Sequence, residues 1–109
     1  MIQGLAKRGH RVIALDLMGM GRSDKPTDKA DYSLANHVDW MGQWLVGEDL
    51  TNITLYCQDW GVITGLNLLP FHGDRFARVV ASNTGVPAGE GATKGIENWL
   101  AFVGSIEEL

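Results

Sequence analysis

A single cysteine, Cys57, occurs in 109 residues, so no internal disulfide can form and a cross-linked secreted scaffold is excluded. No cysteine and histidine cluster at metal-ligand spacing stands out, and no resident metal or other cofactor is expected. Apolar runs are short. None nears the roughly 18 residues that a membrane-spanning helix needs. Basic residues are few, with 9 Lys and Arg against 13 Asp and Glu and a formal net charge of −4, which disfavours nucleic acid as a partner. Repeats and low-complexity tracts are missing too. With 45% hydrophobic residues, the chain reads as a soluble protein suited to small uncharged molecules, and a cytoplasmic location is expected.

Periodicity predicts an α/β architecture, a partial doubly wound sheet with residues 11–17, 52–57 and 78–82 as parallel strands and helices between them. Leu34, Val38, Met41 and Leu45 recur three to four apart and define one apolar helical stripe. Ser33 is placed as its N-cap and Gly47 near its end. A second helix is predicted from Gly61 to about Phe71, with Pro70 near its stop. Residues 87–95, rich in Gly, Ala and Thr, read as a flexible exit from the core. Ile96, Trp99, Leu100, Val103 and Ile106 then return to helical spacing.

Between a β-rich segment, Ile53 to Cys57, and an apolar segment opening at Gly61 lies Cys57-Gln58-Asp59-Trp60-Gly61. Strand, tight turn and helix in that order suit a nucleophile elbow, with an acid at its apex. Such a turn needs small residues two positions to either side, and Cys57 and Gly61 meet that demand. An Asp before a helix is more often an N-cap. Against this stands Trp60, a large indole at a turn, where it gains little from burial but offers an N–H donor to the same mouth. A carboxylate nucleophile suits an sp3 carbon bearing a leaving group.

The Gly19-Met20-Gly21-Arg22-Ser23-Asp24 loop invites comparison with a phosphate cradle. It lacks the third glycine and the Lys-Ser/Thr ending. Asp16 and Asp24 are expected to fix this turn through backbone hydrogen bonds.

Taken together, Gly9-His10-Arg11-Val12-Ile13-Ala14-Leu15-Asp16-Leu17, Gly19 to Pro26, Cys57 to Gly61 and Asn83-Thr84-Gly85 closely resemble haloalkane dehalogenases. Gln58-Asp59-Trp60-Gly61 is the most specific part. The resemblance implies an α/β-hydrolase fold, with a mostly parallel sheet, flanking helices and the start of a helical cap. Residues 1–86 would supply part of the core and 87–109 the linker and start of the cap. The substrates implied are a small halogenated alkane and water, with halide ion as a product. Epoxide hydrolases, which usually carry His where Gln58 stands, are the alternative. They use cap tyrosines, whereas Tyr32 and Tyr56 both precede the elbow.

By this resemblance Asp59 matches the nucleophile and Trp60 a halide-binding indole whose main-chain N–H also serves the oxyanion hole. Trp99 matches a second halide-binding indole in the cap of one subfamily. It is read equally well as part of the buried stripe of a cap helix, and both readings stand. Asn83 matches a position where another subfamily carries its catalytic acid, a role an amide cannot fill. Two departures are Val62, a β-branched residue that could crowd the facing strand where a second glycine is common, and Leu15 where Pro is frequent.

A hydrolase of this fold with its cap needs well over twice 109 residues, so the chain is expected to be a fragment. His72 lies 13 residues beyond Asp59, roughly 20 Å away along a continuous helix, and His10 precedes a strand at the wrong end of the sheet. His37 is expected to face solvent. None suits the general base, and the chain alone is expected to be catalytically incomplete, without multiple turnover.

Overall fold

The computed structural model describes residues 1–85 and 93–105. Helix α1 (Ile2–Lys7) ends where Gly9 takes φ +87, with the Gly9 and His10 N–H groups returned to the Ala6 and Leu5 carbonyls. A left-handed residue there lets the chain close the orphan carbonyls of the last turn. Helix α2 (Leu34–Gly47) is capped as expected, the Ser33 hydroxyl accepting from the Asn36 N–H at 3.1 Å. It ends at Gly47, as expected. Asp49, at φ +47, directs its own N–H to Val46 and that of Leu50 to Leu45.

Strands β1 (Ile53–Gln58) and β2 (Phe76–Ser82) form a parallel pair in which Cys57 stands opposite Ala81 and Gln58 opposite Ser82. A parallel pair requires a crossover. It is supplied by α3 (Trp60–Leu66), α4 (Leu69–His72) and a 3-10 turn, Gly73–Arg75. Ile53, Leu55 and Cys57 turn toward the covered side of β1 while their neighbours stay exposed, the period-two alternation of a strand with one packed face.

Two sequence expectations are corrected. Residues 11–17 form no strand among the described residues, although their apolar run from Val12 to Leu15 suits one. A strand is defined by a paired neighbour, and this segment instead lies along α2, where Leu15, Leu17, Trp40, Met41 and Trp44 help line an open groove of about 380 Å³. The helix expected from Gly61 to Phe71 is broken after Leu66. There the Asn67 amide donates back to the Ile63 carbonyl at 2.8 Å. Pro70 then sits in the first turn of α4 instead of at a stop, where its missing N–H would have had no helical partner. The exit segment expected at 87–95 lies mostly outside the described residues, as does Ile106.

Leu45, Cys57, Val62 and Leu68 are buried, joining α2, β1 and the α3–α4 crossover. Val62, 2% exposed, packs into this core, so its β-branch fills space without disrupting the elbow. The chain's accessible surface is 8570 Å². A compact chain of 11.9 kDa would show about 6000 Å². Much apolar surface therefore lies open, including Tyr56, Val79 and Val80 on the sheet and Ile96, Leu100 and Phe102 on α5 (Lys94–Gly104). No helix among the described residues is long and apolar enough to cross a membrane.

Candidate active site

Asp59 stands at the carboxyl end of β1, immediately before α3, at the sheet edge where open α/β folds build their sites. Its backbone takes φ +52 and ψ −129. For a residue with a side chain that conformation costs about 1–3 kcal/mol and persists where surrounding contacts hold it. An ordinary N-cap has extended backbone and a side-chain oxygen on an N–H of the first turn. Asp59 has neither, since its carboxylate makes no cap hydrogen bond. The bland reading of this acid thus fails on both of its geometric requirements.

Room for the turn is created differently from the expectation. A Cβ at Gly61 would meet nothing within 4 Å, so crowding does not demand glycine there. Close approach occurs one turn later. At Gly65 a Cβ would lie 3.3 Å from Leu55 Cδ2 and 3.5 Å from the Cys57 Cβ and Sγ. Cys57 is buried against this glycine face, and its burial pushes the thiol above the ordinary value of 9.0.

Trp60 and Trp99 come together. Their ring centroids lie 6.1 Å apart with planes inclined at 47°, a separation at which aromatic rings attract. Trp60 is 57% and Trp99 46% exposed, so both indoles remain open to solvent at the elbow's mouth. Trp99 is therefore not a buried stripe residue within the described structure. Thr84, which enters the sequence reading only as part of Asn83-Thr84-Gly85, also reaches the elbow, its hydroxyl donating to the Asp59 carbonyl at 3.3 Å. A hydrogen bond to a main-chain oxygen 25 positions away leaves no sequence pattern, so no local signal could have found it.

The histidines are placed elsewhere. His37 is half-buried, correcting the solvent-facing expectation: Nδ1 lies 2.9 Å from the Ser33 carbonyl and Nε2 3.2 Å from that of Met18. It ties α2 to the start of the glycine loop. His72 packs on α2, its Nε2 2.5 Å from where a Gly42 Cβ would stand. His10 follows the α1 cap. In the loop itself, Asp16 accepts the Arg22 N–H at 3.0 Å through Oδ2 and the Ser23 hydroxyl at 2.6 Å through its carbonyl. Asp24 acts through its main chain, accepting the Gly19 N–H at 2.8 Å. Neither this turn nor any described cluster of His, Cys, Asp and Glu forms a metal site.

Comparison with known proteins places this geometry in a family. Residues 1–103 match the model of the alpha/beta hydrolase fold. The chain is 50% identical to a haloalkane dehalogenase of Psychrobacter cryohalolentis, over 100% of this chain and 36% of that protein. It is also 50% identical to haloalkane dehalogenase 1 of Mycobacterium bovis, over 85% of this chain and 31% of that one. Among solved structures, the tetrameric haloalkane dehalogenase DpaA of Paraglaciecola agarilytica superposes with a TM-score of 0.85 at 40% identity, covering 100% of this chain and 36% of that chain. The chain thus spans about a third of the length of the relatives it matches. On the strength of the family match and of an elbow built at the end of a parallel strand, the chain belongs to the alpha/beta hydrolase fold family.

Proposed function

We propose that this chain carries the nucleophile part of a haloalkane dehalogenase, with Asp59 as the nucleophile. The observation that carries the reading is the strained backbone of Asp59, whose side chain makes no cap hydrogen bond, beside the exposed Trp60–Trp99 pair. A strained residue left free of a structural bond suits a reacting group. Relatives named as haloalkane dehalogenases support the choice of leaving group.

In the first step a carboxylate oxygen of Asp59 attacks the sp3 carbon in line. A carbon–oxygen bond forms, the carbon–halogen bond breaks with its electron pair, and halide leaves toward the indole N–H groups of Trp60 and Trp99. In the second step water adds to the ester carbonyl, its proton passing to a general base. The tetrahedral oxyanion is held in part by the Trp60 main-chain N–H, and collapse releases the alcohol and restores the carboxylate. Overall, alkyl halide and water give alcohol, halide and a proton. The proposal takes its base from outside these 109 residues, because His10 follows α1, the His37 ring lies on the Ser33 and Met18 carbonyls and the His72 ring packs at Gly42. It assigns residues 1–86 to the core and 87–109 to the linker and start of the cap, with a cytoplasmic location.

The test is halide release from a bromoalkane by a polypeptide of the relatives' full length carrying this chain, compared with its Asp59→Ala variant. Release that vanishes in the variant supports the reading. Turnover of an epoxide without halide release would replace it with the epoxide hydrolase alternative. Sustained halide production by residues 1–109 alone would contradict the assignment of the base.

A further inference from the structure

The oxygen of the Asp59 main-chain carbonyl has two donors. One is the Val62 N–H at 3.0 Å, the first bond of α3. The other is the Thr84 hydroxyl at 3.3 Å, arriving from beyond the end of β2. A carbonyl oxygen offers two lone pairs, so both are used. The peptide joining Asp59 to Trp60 is planar and trans, and its C=O and N–H point in opposite directions. Whatever fixes the oxygen also aims the N–H.

The elbow needs such a second anchor. Its φ +52 and ψ −129 lie in a sparsely populated region that survives only when neighbouring contacts over-determine it. The Val62 bond comes from the same element and would turn with it. Thr84 belongs to the adjacent strand's exit, and that exit is held in register. Gln58 stands opposite Ser82, and the Tyr56 and Ser82 hydroxyls lie 2.8 Å apart. Asn83, at φ +47, then turns the chain so that Thr84 meets the elbow.

We propose that Thr84 is a positioning residue: its hydroxyl holds the Asp59–Trp60 peptide plane and so aims the Trp60 main-chain N–H at the oxyanion formed during ester hydrolysis. This inference rests on the dehalogenase reading above for the step it names. Thr84 touches neither the reacting carbon nor the halide. Loss of its hydroxyl therefore slows the second chemical step and spares the first.

The test compares wild type, Thr84→Val and Thr84→Ser in a polypeptide of the relatives' full length carrying this chain. Rapid mixing with a bromoalkane reads the first step as a burst of halide, and steady-state release reads the second. Deleting an oxyanion donor outright costs about 100- to 1000-fold, so misaiming one is expected to cost on the order of 10-fold. Thr84→Val should keep the burst and lose steady-state rate by that factor, and Thr84→Ser should restore it. Selective nitrogen-15 labelling of tryptophan supplies a readout independent of chemistry. The Trp60 amide resonance should move in Thr84→Val and return in Thr84→Ser. Equal loss of both steps would mark a merely structural role and overturn the proposal, as would an unmoved Trp60 amide. If wild type releases no halide while the Trp60 amide responds as described, the dehalogenase reading falls and the positioning role of Thr84 stands.

Discussion

The indoles of Trp60 and Trp99 meet with centroids 6.1 Å apart, although one opens α3 and the other lies midway along α5. Under the proposed function both ring N–H groups would serve one departing halide. A hydrogen bond to a charged partner contributes about 1.5–3 kcal/mol, or roughly 10- to 100-fold in affinity. Saturable quenching of tryptophan fluorescence by bromide, in a polypeptide of the relatives' full length, checks this. Trp60→Phe is expected to weaken bromide binding by that factor, and Trp99→Phe to weaken it less, since Trp60 also adjoins Asp59 directly. Unchanged titration in Trp60→Phe would remove the halide role from this pair.

Gly65 should tolerate one methyl group and no more. An alanine Cβ there lies 3.3 Å from the end of Leu55, a side chain that can yield, and the exchange gains about 1 kcal/mol of helix propensity. Gly65→Ala is therefore expected within about 1 kcal/mol of wild type in urea unfolding. Gly65→Leu would force a larger group between α3 and β1, costing about 1–3 kcal/mol through overpacking. Equal midpoints for leucine and wild type would mean that this interface is not packed as described.

The glycine loop offers a test by coupling. Gly21 has φ +48, and a Cβ on it would collide with the carboxylate of Asp16. Gly21→Ala bears both the left-handed backbone cost, about 1–2 kcal/mol, and the collision. Asp16→Ala removes an acceptor from the Arg22 N–H, at a cost of about 0.5–1.5 kcal/mol. In the double variant the collision disappears, so its loss should be smaller than the two single losses added together. Simple additivity in a double-mutant cycle would show that the two residues do not meet.

Local signals were readable and long-range ones were not. Ser33 and the Leu34–Leu45 stripe predict α2 because capping and helical spacing are properties of a few adjacent residues. Residues 11–17 carry the short apolar run of a buried strand, yet a ladder needs a neighbour that no local pattern supplies. Pro70 was readable as helix punctuation but not as a start, since that depends on α3 having already ended at Leu66. At the site, the acid and its indole were visible as Asp59-Trp60. Only the backbone angles and the missing cap bond set Asp59 apart from an ordinary N-cap, and only the fold brings Trp99 and Thr84 to this turn.

Cys57 yields a prediction whose sign follows from its burial. Desolvation disfavours the thiolate, so the folded state holds the thiol proton more tightly than the unfolded chain, whose value is the ordinary 9.0. Below that pH the group is neutral in both states and its contribution is fully present. As pH rises past 9.0 the unfolded chain ionises first, and stability falls until the folded thiol also titrates. The urea midpoint of wild type should therefore drop above that pH more than that of Cys57→Ala, which has no thiol to ionise. Alkylation by iodoacetamide gives the kinetic counterpart: the native thiol, packed against Gly65, should react far more slowly than the same thiol in urea. Equal rates in the two states would place Cys57 outside the core and remove the close contact that shapes the elbow's base.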